Sequence, residues 1–288
     1  MNVAQALKCA SRKLDYAGME QPRMEAEAIL VRILQKDRLW LYLNPQEDLP
    51  PDILIKYGKS IVRRTLCEPV AYITGEKEFW SFSFKVTKDT LIPRPETELL
   101  VETALSIIND EALEPRLILD LGTGSGILAI SLAHELPAMT SFIATDISYA
   151  ALLVAKENAL RRGVASRISF IQADWLGAFK KGNAPCFDMI VSNPPYVALD
   201  IKDTLPPDII MYEPHNALFG GADGLGDISR LITESACVLK PGGWFICEIG
   251  WDQGEAVSKM TYESAFYSEI SILRDTAGKV RALAARRS

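Results

Sequence analysis

The sequence predicts an α/β chain: a mostly parallel sheet, covered on both faces and with an antiparallel last strand, follows a small all-α bundle and a β-hairpin linker. Three observations predict it. From Leu117 onward, apolar runs of strand length recur, separated at first by stretches of helical period, the alternation that builds a parallel sheet between helical layers. Residues 1–68 carry only the helical period. Between these regions, residues 69–95 are rich in aromatic, glycine and proline residues with an extended pattern, a linker. The expected domains are therefore 1–68, 69–95 and 96–288.

Taken in order, Val3, Ala6, Leu7, Ala10 and Leu14 lie on one helical stripe that Gly18 ends. A second helix opens at Pro22 and places Ala26, Ile29, Leu30, Ile33 and Leu34 together. A short helical turn at Leu39–Tyr42 and a helix from Pro51 to Leu66 complete a four-helix unit. It holds no catalytic constellation and reads as a docking or lid domain. Val70–Gly75 and Lys77–Val86 read as two extended segments joined at a glycine turn. The stiff run Ile92-Pro93-Arg94-Pro95-Glu96-Thr97-Glu98 leads into a helix from Leu99 to Ile108, with Thr97 or Glu96 as its cap. Strands follow at Leu117–Leu121, Ser141–Thr145, Ile168–Ile171, Phe187–Val191, Trp244–Ile249, Glu269–Leu273 and Val280–Ala284. Helices are expected at Ile127–Leu136, Ala150–Arg162 and Ile228–Leu239. The last two strands are too close for a crossover helix, which predicts an antiparallel pair.

Composition bounds the function. A chain of 288 residues with 48% hydrophobic content can bury sizeable cores. It has no apolar run of bilayer length and no signal-like start, so a cytoplasmic protein is expected. Five cysteines without a C-x-x-C pair read as buried thiols, and two histidines leave no metal site to expect. The net charge of −6 argues against non-specific wrapping of nucleic acid. Residues 1–75 hold 11 Lys/Arg and 9 Asp/Glu, so a local basic face including Arg63 and Arg64 is the one exception to expect.

The chemistry is carried by two motifs. Met189, Ile190 and Val191 end at Asn193-Pro194-Pro195-Tyr196, where each proline fixes its own φ and restricts the residue before it. The Asn193 side-chain oxygen and the Pro194 carbonyl offer two acceptors, and Tyr196 offers a flat face. Such a set suits a planar substrate with an NH2 group. An ordinary strand exit that happens to contain Pro-Pro is the alternative.

The second motif, Asp120-Leu121-Gly122-Thr123-Gly124-Ser125-Gly126, follows a strand and opens a helix, the setting for close approach of backbone to a ligand. Asp146 ends the next strand and suits ribose hydroxyls; Asp174 and Trp175 follow the third and suit an adenine amine and an adenine face. A dinucleotide oxidoreductase is the rival, but a carboxylate at Asp120 would repel a pyrophosphate and attract a cation. The pattern favours a phosphate-free, positively charged adenosyl ligand, and S-adenosylmethionine fits it, with Asp120 near the sulfonium and amino groups.

Together these motifs resemble class I (Rossmann-like) methyltransferases that act on planar NH2 groups. These include adenine-N6 DNA methyltransferases and the PrmC/HemK family. Glu68–Gly75, Phe79-Trp80, Ile92–Glu98, Glu213-Pro214-His215, Leu218–Gly221 and Glu248–Gly254 look like the PrmC/HemK family along nearly the whole chain. Two departures stand out: Gly226 is inserted before Asp227, and Val280 stands where an aspartate is common. The resemblance implies methylation of the glutamine of the Gly-Gly-Gln motif in peptide chain release factors, with S-adenosylhomocysteine as product. It implies catalysis by Asn193, Pro194, Pro195 and Tyr196, with Tyr196 and Phe79 packing the glutamine. Cofactor contacts would come from Asp120, Gly122, Thr123, Gly124, Ser125, Gly126, Asp146, Asp174, Trp175 and Asn193. No general base is needed, because an amide nitrogen becomes acidic only as it is methylated. His215, a lone histidine after Glu-Pro, is left out of the site. A monomer is expected, without metal, membrane or direct nucleic-acid contact. The competing functions are an adenine-N6 DNA methyltransferase, which would need a basic groove, and a cofactor-binding module without turnover.

Overall fold

The computed structural model describes residues 1–179 and 184–288. In chain order its helices are α1 (Val3–Tyr16), α2 (Pro22–Leu34), α3 (Arg38–Leu43), α4 (Pro51–Thr65), α5 (Val70–Thr74), α6 (Glu98–Asp110), α7 (Ile127–Glu135), α8 (Tyr149–Arg161), α9 (Pro207–Tyr212), α10 (Gly226–Ala236) and α11 (Gly254–Glu263). Its strands are β1 (Glu76–Phe79), β2 (Phe82–Lys85), β3 (Leu117–Leu121), β4 (Ser141–Asp146), β5 (Ile168–Gln172), β6 (Phe187–Ser192), β7 (Leu239–Glu248), β8 (Tyr267–Arg274) and β9 (Val280–Arg287). The chain divides into two units, Met1–Glu76 with Pro206–Tyr212, and Lys77–Leu205 with Glu213–Ser288.

In the first unit, α1 starts at a reciprocal cap: the Asn2 side chain accepts from the Gln5 N–H and the Gln5 side chain from the Asn2 N–H. The α1 stripe Leu7 and Leu14 packs with Ile29, Leu30 and Tyr57, whose hydroxyl donates to the Ala26 carbonyl at 3.0 Å. Val70–Thr74, expected as a strand, is a helix. Pro69 leads into it, the Thr74 hydroxyl donates back to the Val70 carbonyl, and Gly75, at φ 78°, ends it. A β-branched composition pointed the other way, and the local cap won. The expected basic face also dissolves: Arg63 pairs with Glu68, and buried Arg64 donates to both Glu25 oxygens at 2.9 and 3.0 Å. Of the five thiols, all free, only Cys247 is buried; Cys9, Cys186 and Cys237 are exposed.

The hairpin of β1 and β2 turns at Trp80 and Ser81, both in the left-handed region (φ 49° and 60°), the geometry that matches strand twist. The Trp80 N–H donates to a Glu98 carboxylate oxygen at 2.8 Å, which holds a turn that lacks glycine.

The large sheet of the second unit has the order β5-β4-β3-β6-β7-β9-β8. The first five are parallel, and β9 runs antiparallel to both β7 and β8. Alternating residues feed opposite faces: Ile118 packs with α6 and α7 residues such as Leu100 and Ile130, while Leu119 packs with Leu231 and Phe245. Strand β7 begins at Leu239, earlier than expected. Its pairing with β6 skips from Phe187↔Leu239 to Met189↔Trp244, so Pro241-Gly242-Gly243 is a bulge inside the strand and not a turn before it. Helix α11, which the sequence reading lacked, follows Gln253 directly.

Glu27 is the most enclosed charge of the first unit, 1% exposed. It accepts from Arg23 Nε at 2.5 Å, Arg38 Nε at 2.8 Å and the Tyr42 hydroxyl at 3.1 Å. Burial would raise its pKa, but the bonds from Arg38 and Arg23 outweigh burial and hold it below the usual carboxylate range. Its stabilisation is thus present at neutral pH and lost as pH falls through the depressed value. Glu27→Gln should lower the hydrogen-exchange protection of α2 amides by about 1–3 kcal/mol at neutral pH, with the difference shrinking in acid. Equal protection at both pH values would contradict this role.

Candidate active site

The carboxyl ends of β3, β4, β5 and β6 surround a cavity of about 240 Å³, the position where open α/β sheets hold ligands. Its wall includes Gly122, Thr123, Gly124, Ser125, Asp146, Asp174, Trp175, Asn193 and Pro195. Asp120, Gly126, Pro194 and Tyr196 are not in that wall.

Asp120 lies wholly buried beneath the glycine loop. Its Oδ2 accepts from the Thr123 hydroxyl at 2.6 Å and from the Ala129 N–H at 3.1 Å, so it ties the loop to the first turn of α7. Its Oδ1 has no hydrogen-bond partner among the described residues. Burial pushes the Asp120 carboxyl up to about 7, against the pull of Thr123 and Ala129 and with a contribution from the Asp146 charge. Asp120, expected from sequence near a cationic ligand, thus lies outside the cavity wall and supports the glycine loop from behind.

The three loop glycines have different duties. Gly122, at φ 69°, faces the Trp175 indole, where an added Cβ would sit 3.1 Å from the ring. Gly124 gives its N–H to Asp146 Oδ2 at 2.9 Å. At Gly126 a Cβ would meet Ile130 at 2.8 Å and Ala155 at 3.2 Å, so this glycine lets α7 pack on α8.

Asp146 also accepts from the Ser148 N–H at 2.8 Å; burial raises its pKa despite both backbone bonds. Asp174 is met by Arg230 Nη1 at 2.9 and 3.1 Å, and Trp175, at φ 48°, donates its indole N–H to Asp227 at 2.9 Å. Arg230 and Asp227, both in the cavity wall, were not found from sequence. Inserted Gly226 opens α10 and gives its N–H to the Gly220 carbonyl at 3.0 Å.

The Asn193–Tyr196 loop is gripped from behind. Asn193 Nδ2 donates to Thr97 Oγ1 at 3.1 Å, and the Tyr196 hydroxyl donates to Glu248 Oε1 at 3.0 Å. Burial and the Glu248 charge both push the Tyr196 phenol well above its usual range. Thr97 therefore does not cap α6 with its side chain. The Tyr196 carbonyl accepts from Gln253 Nε2 at 3.0 Å. Two glycines press on the same backbone: a Cβ on Gly220 would lie 2.4 Å from the Pro195 carbonyl oxygen, and one on Gly224 would lie 2.2 Å from that of Tyr196. Phe79, expected to pack a substrate, is 2% exposed and belongs to the core against Phe84. His215 sits edge-on to Phe219 at 5.5 Å. Arg94 and Glu213, from separate sequence motifs, form an ion pair at 2.6 Å between Pro93 and Pro214 of the cavity wall.

Residues 5–75 match the family model described as PrmC N-terminal domain, and residues 116–284 match that of a methyltransferase domain. The release factor glutamine methyltransferase of Cereibacter sphaeroides is 40% identical, over 99% of both chains. That of Moorella thermoacetica is 41% identical, over 100% of this chain and 99% of the relative. Among solved structures, the hMettl16 catalytic domain in complex with MAT2A 3'UTR hairpin 1 covers 96% of this chain and 91% of its own, at 14% identity and a TM-score of 0.58, which is a likeness of fold.

Two tests follow from this geometry. Gly220→Ala should displace the Pro195 carbonyl and lower turnover by about 10²-fold while ligand binding at the glycine loop persists, as titration calorimetry would measure; unchanged turnover would deny the buttress. Because burial raises the Asp120 pKa from 3.8 to about 7, the contribution of Asp120 to stability falls as pH rises from about 4 to about 7. Asp120→Asn should flatten that slope in pH-dependent melts.

Proposed function

Since the chain belongs to the release factor glutamine methyltransferase family, we propose that it transfers the methyl group of S-adenosylmethionine to the side-chain amide nitrogen of the Gly-Gly-Gln glutamine in peptide chain release factors. The single observation that supports this best is the presence of Asn193 in the same cavity wall as Gly122, Gly124 and Asp146. A neutral acceptor thereby stands beside the only part of the site fitted to an adenosyl ligand.

The residues fit that ligand. Gly122 and Gly124, both at positive φ, bring bare backbone to the cavity, and Asp146 lies across from them with lone pairs beyond those used by Gly124 and Ser148. Trp175, packed against Gly122, and the Asp174–Arg230 pair line the same cavity. When bound, the cofactor supplies an electrophilic methyl on a sulfonium.

An amide nitrogen is a poor nucleophile because its lone pair is delocalised into the carbonyl. In this reading Asn193 Oδ1 and the Pro194 carbonyl accept the two NH2 hydrogens, fix the nitrogen in line with the methyl and favour the positive charge that builds on it. The proton is lost to solvent once the nitrogen is methylated, so no base of tuned pKa is required. Pro195 keeps the loop stiff, and Tyr196 closes it through its phenol. The enzyme acts as a monomer in the cytoplasm; no helix among the described residues is long and apolar enough to cross a membrane.

Asn193→Ala should abolish methylation of a release factor, read by mass spectrometry of the Gly-Gly-Gln peptide, with S-adenosylmethionine affinity retained. Full activity in that variant, or methyl transfer to duplex DNA in place of release factor, would refute the reading.

A further inference from the structure

Gln253 stands just ahead of α11 at 8% exposure, and its side chain joins two stretches of backbone. Oε1 accepts from the Gly250 N–H at 2.8 Å, and Nε2 donates to the Tyr196 carbonyl at 3.0 Å. A backbone N–H only donates and a carbonyl only accepts, so each bond alone dictates which way round the amide lies. The two agree. Bare backbone forms the slot around it: a Cβ on Gly250 would lie 2.9 Å from Gln253 Cδ, and one on Gly224 would lie 2.8 Å from Nε2.

What this amide holds is one peptide group. The Tyr196 carbonyl belongs to Gln253, and the N–H of the same peptide, from Val197, donates to the Leu218 carbonyl at 2.9 Å. With both polar groups taken, the peptide plane keeps one orientation. At the other end of the loop Asn193 Nδ2 is anchored on Thr97. Between these anchors both prolines have a fixed φ, so the soft torsions left are the ψ angles of Asn193, Pro194 and Pro195 and the φ of Tyr196. Setting the exit peptide therefore restricts where the Pro194 carbonyl points. The bond from the Tyr196 phenol to Glu248 cannot do this, because rotation about χ1 separates a phenol from its own backbone.

Resting on the methyl-transfer reading, we propose that Gln253 is a positioning residue for that reaction: by donating to the Tyr196 carbonyl it locks the exit peptide of the Asn193–Tyr196 loop and so aims the Pro194 carbonyl at the substrate NH2. Gln253 itself is outside the cavity wall and acts through the backbone.

Gln253→Glu isolates the donor. The new side chain keeps an acceptor for Gly250, has no proton for Tyr196 while ionised, and can donate again once protonated. Burial, with Asp252 beside it in the chain and Glu248 beyond Tyr196, holds that carboxyl above the usual range. We expect kcat on release factor at about pH 9 to fall about 10²-fold, with S-adenosylmethionine Kd unchanged within about twofold. The ratio of variant to wild-type kcat should climb back as pH falls to about 6, and reading the ratio cancels the titration of native groups. Gln253→Ala, with no donor at any pH, should show the loss without the recovery. A readout that needs no turnover is the carbonyl of Tyr196: Tyr-Val occurs once in the sequence, so 13C-carbonyl tyrosine combined with 15N-valine gives one signal. That signal should be displaced in Gln253→Glu at high pH and return in acid. A Gln253→Ala enzyme within about threefold of wild-type kcat, a Gln253→Glu ratio that is flat with pH, or a carbonyl signal indifferent to both substitutions would overturn the proposal. Absence of methylation by the wild type would instead defeat the reaction assigned above and leave the carbonyl signal to judge the clamp.

Discussion

The register of the parallel strands is the constraint on which the site depends. Leu121 is level with Thr145 on one side and Ser192 on the other, Asp146 is level with Gln172, and Ser192 with Cys247. The next positions, Gly122, Asp146, Asn193 and Glu248, therefore stand at one height although they are far apart in sequence, and Asp174 lies two residues beyond Gln172 of that level. Side chains alternate between faces along a strand, so a slip of one residue would send these groups to the wrong side. The Ser192 hydroxyl donates to the Leu121 carbonyl at 2.8 Å, a side-chain bond across the pair at the height where the cavity begins.

Asp146, at that height, is in the cavity wall, but three other carboxyls stand one step behind the loops that form it. Asp120 stands behind Thr123, Glu248 behind Tyr196, and Glu213 behind Pro93 through the Ile92 N–H at 3.1 Å. Burial pushes both the Asp120 and the Glu248 carboxyls up to about 7, so each costs stability when ionised at neutral pH. Acceptors with no other duty, placed where only a few hydroxyls and N–H groups reach them, give direction to loops whose own residues are small or neutral. Some stability is given up for a site whose donors and acceptors have a fixed sense.

Much of this was legible in the sequence. The order of strands and helices, the glycine loop and the Asn-Pro-Pro-Tyr loop follow from local periodicity and from residues whose conformational limits are strong. What was not legible depends on long-range contact. Nothing near Asp227 or Arg230 announces a meeting with Trp175 and Asp174, and Gly220 and Gly224 look like loop punctuation until the carbonyls of Pro195 and Tyr196 are set against them. Thr97 read as a helix cap because its neighbours begin a helix; its hydroxyl is taken by a side chain 96 positions away. Phe79 lies beside Trp80 in a motif suggestive of a substrate contact, yet its ring fills the core. Val70–Thr74 failed for the opposite reason: a cap of two residues outweighed five residues of strand-like composition.

Strand β9 lies between β7 and β8, which do not pair with each other. During synthesis β8 therefore emerges before the only strand it can join, and β7 presents an open edge until Val280–Arg287 arrives. Glu248 is opposite Ala282 in that pairing, so a strand made after β7 and β8 also completes the surroundings of the carboxyl behind the Asn193–Tyr196 loop. A chain stopped short at Lys279 would carry every residue of the cavity wall and still leave β8 without a neighbour and β7 with an open edge, a product for quality control and not a weaker enzyme.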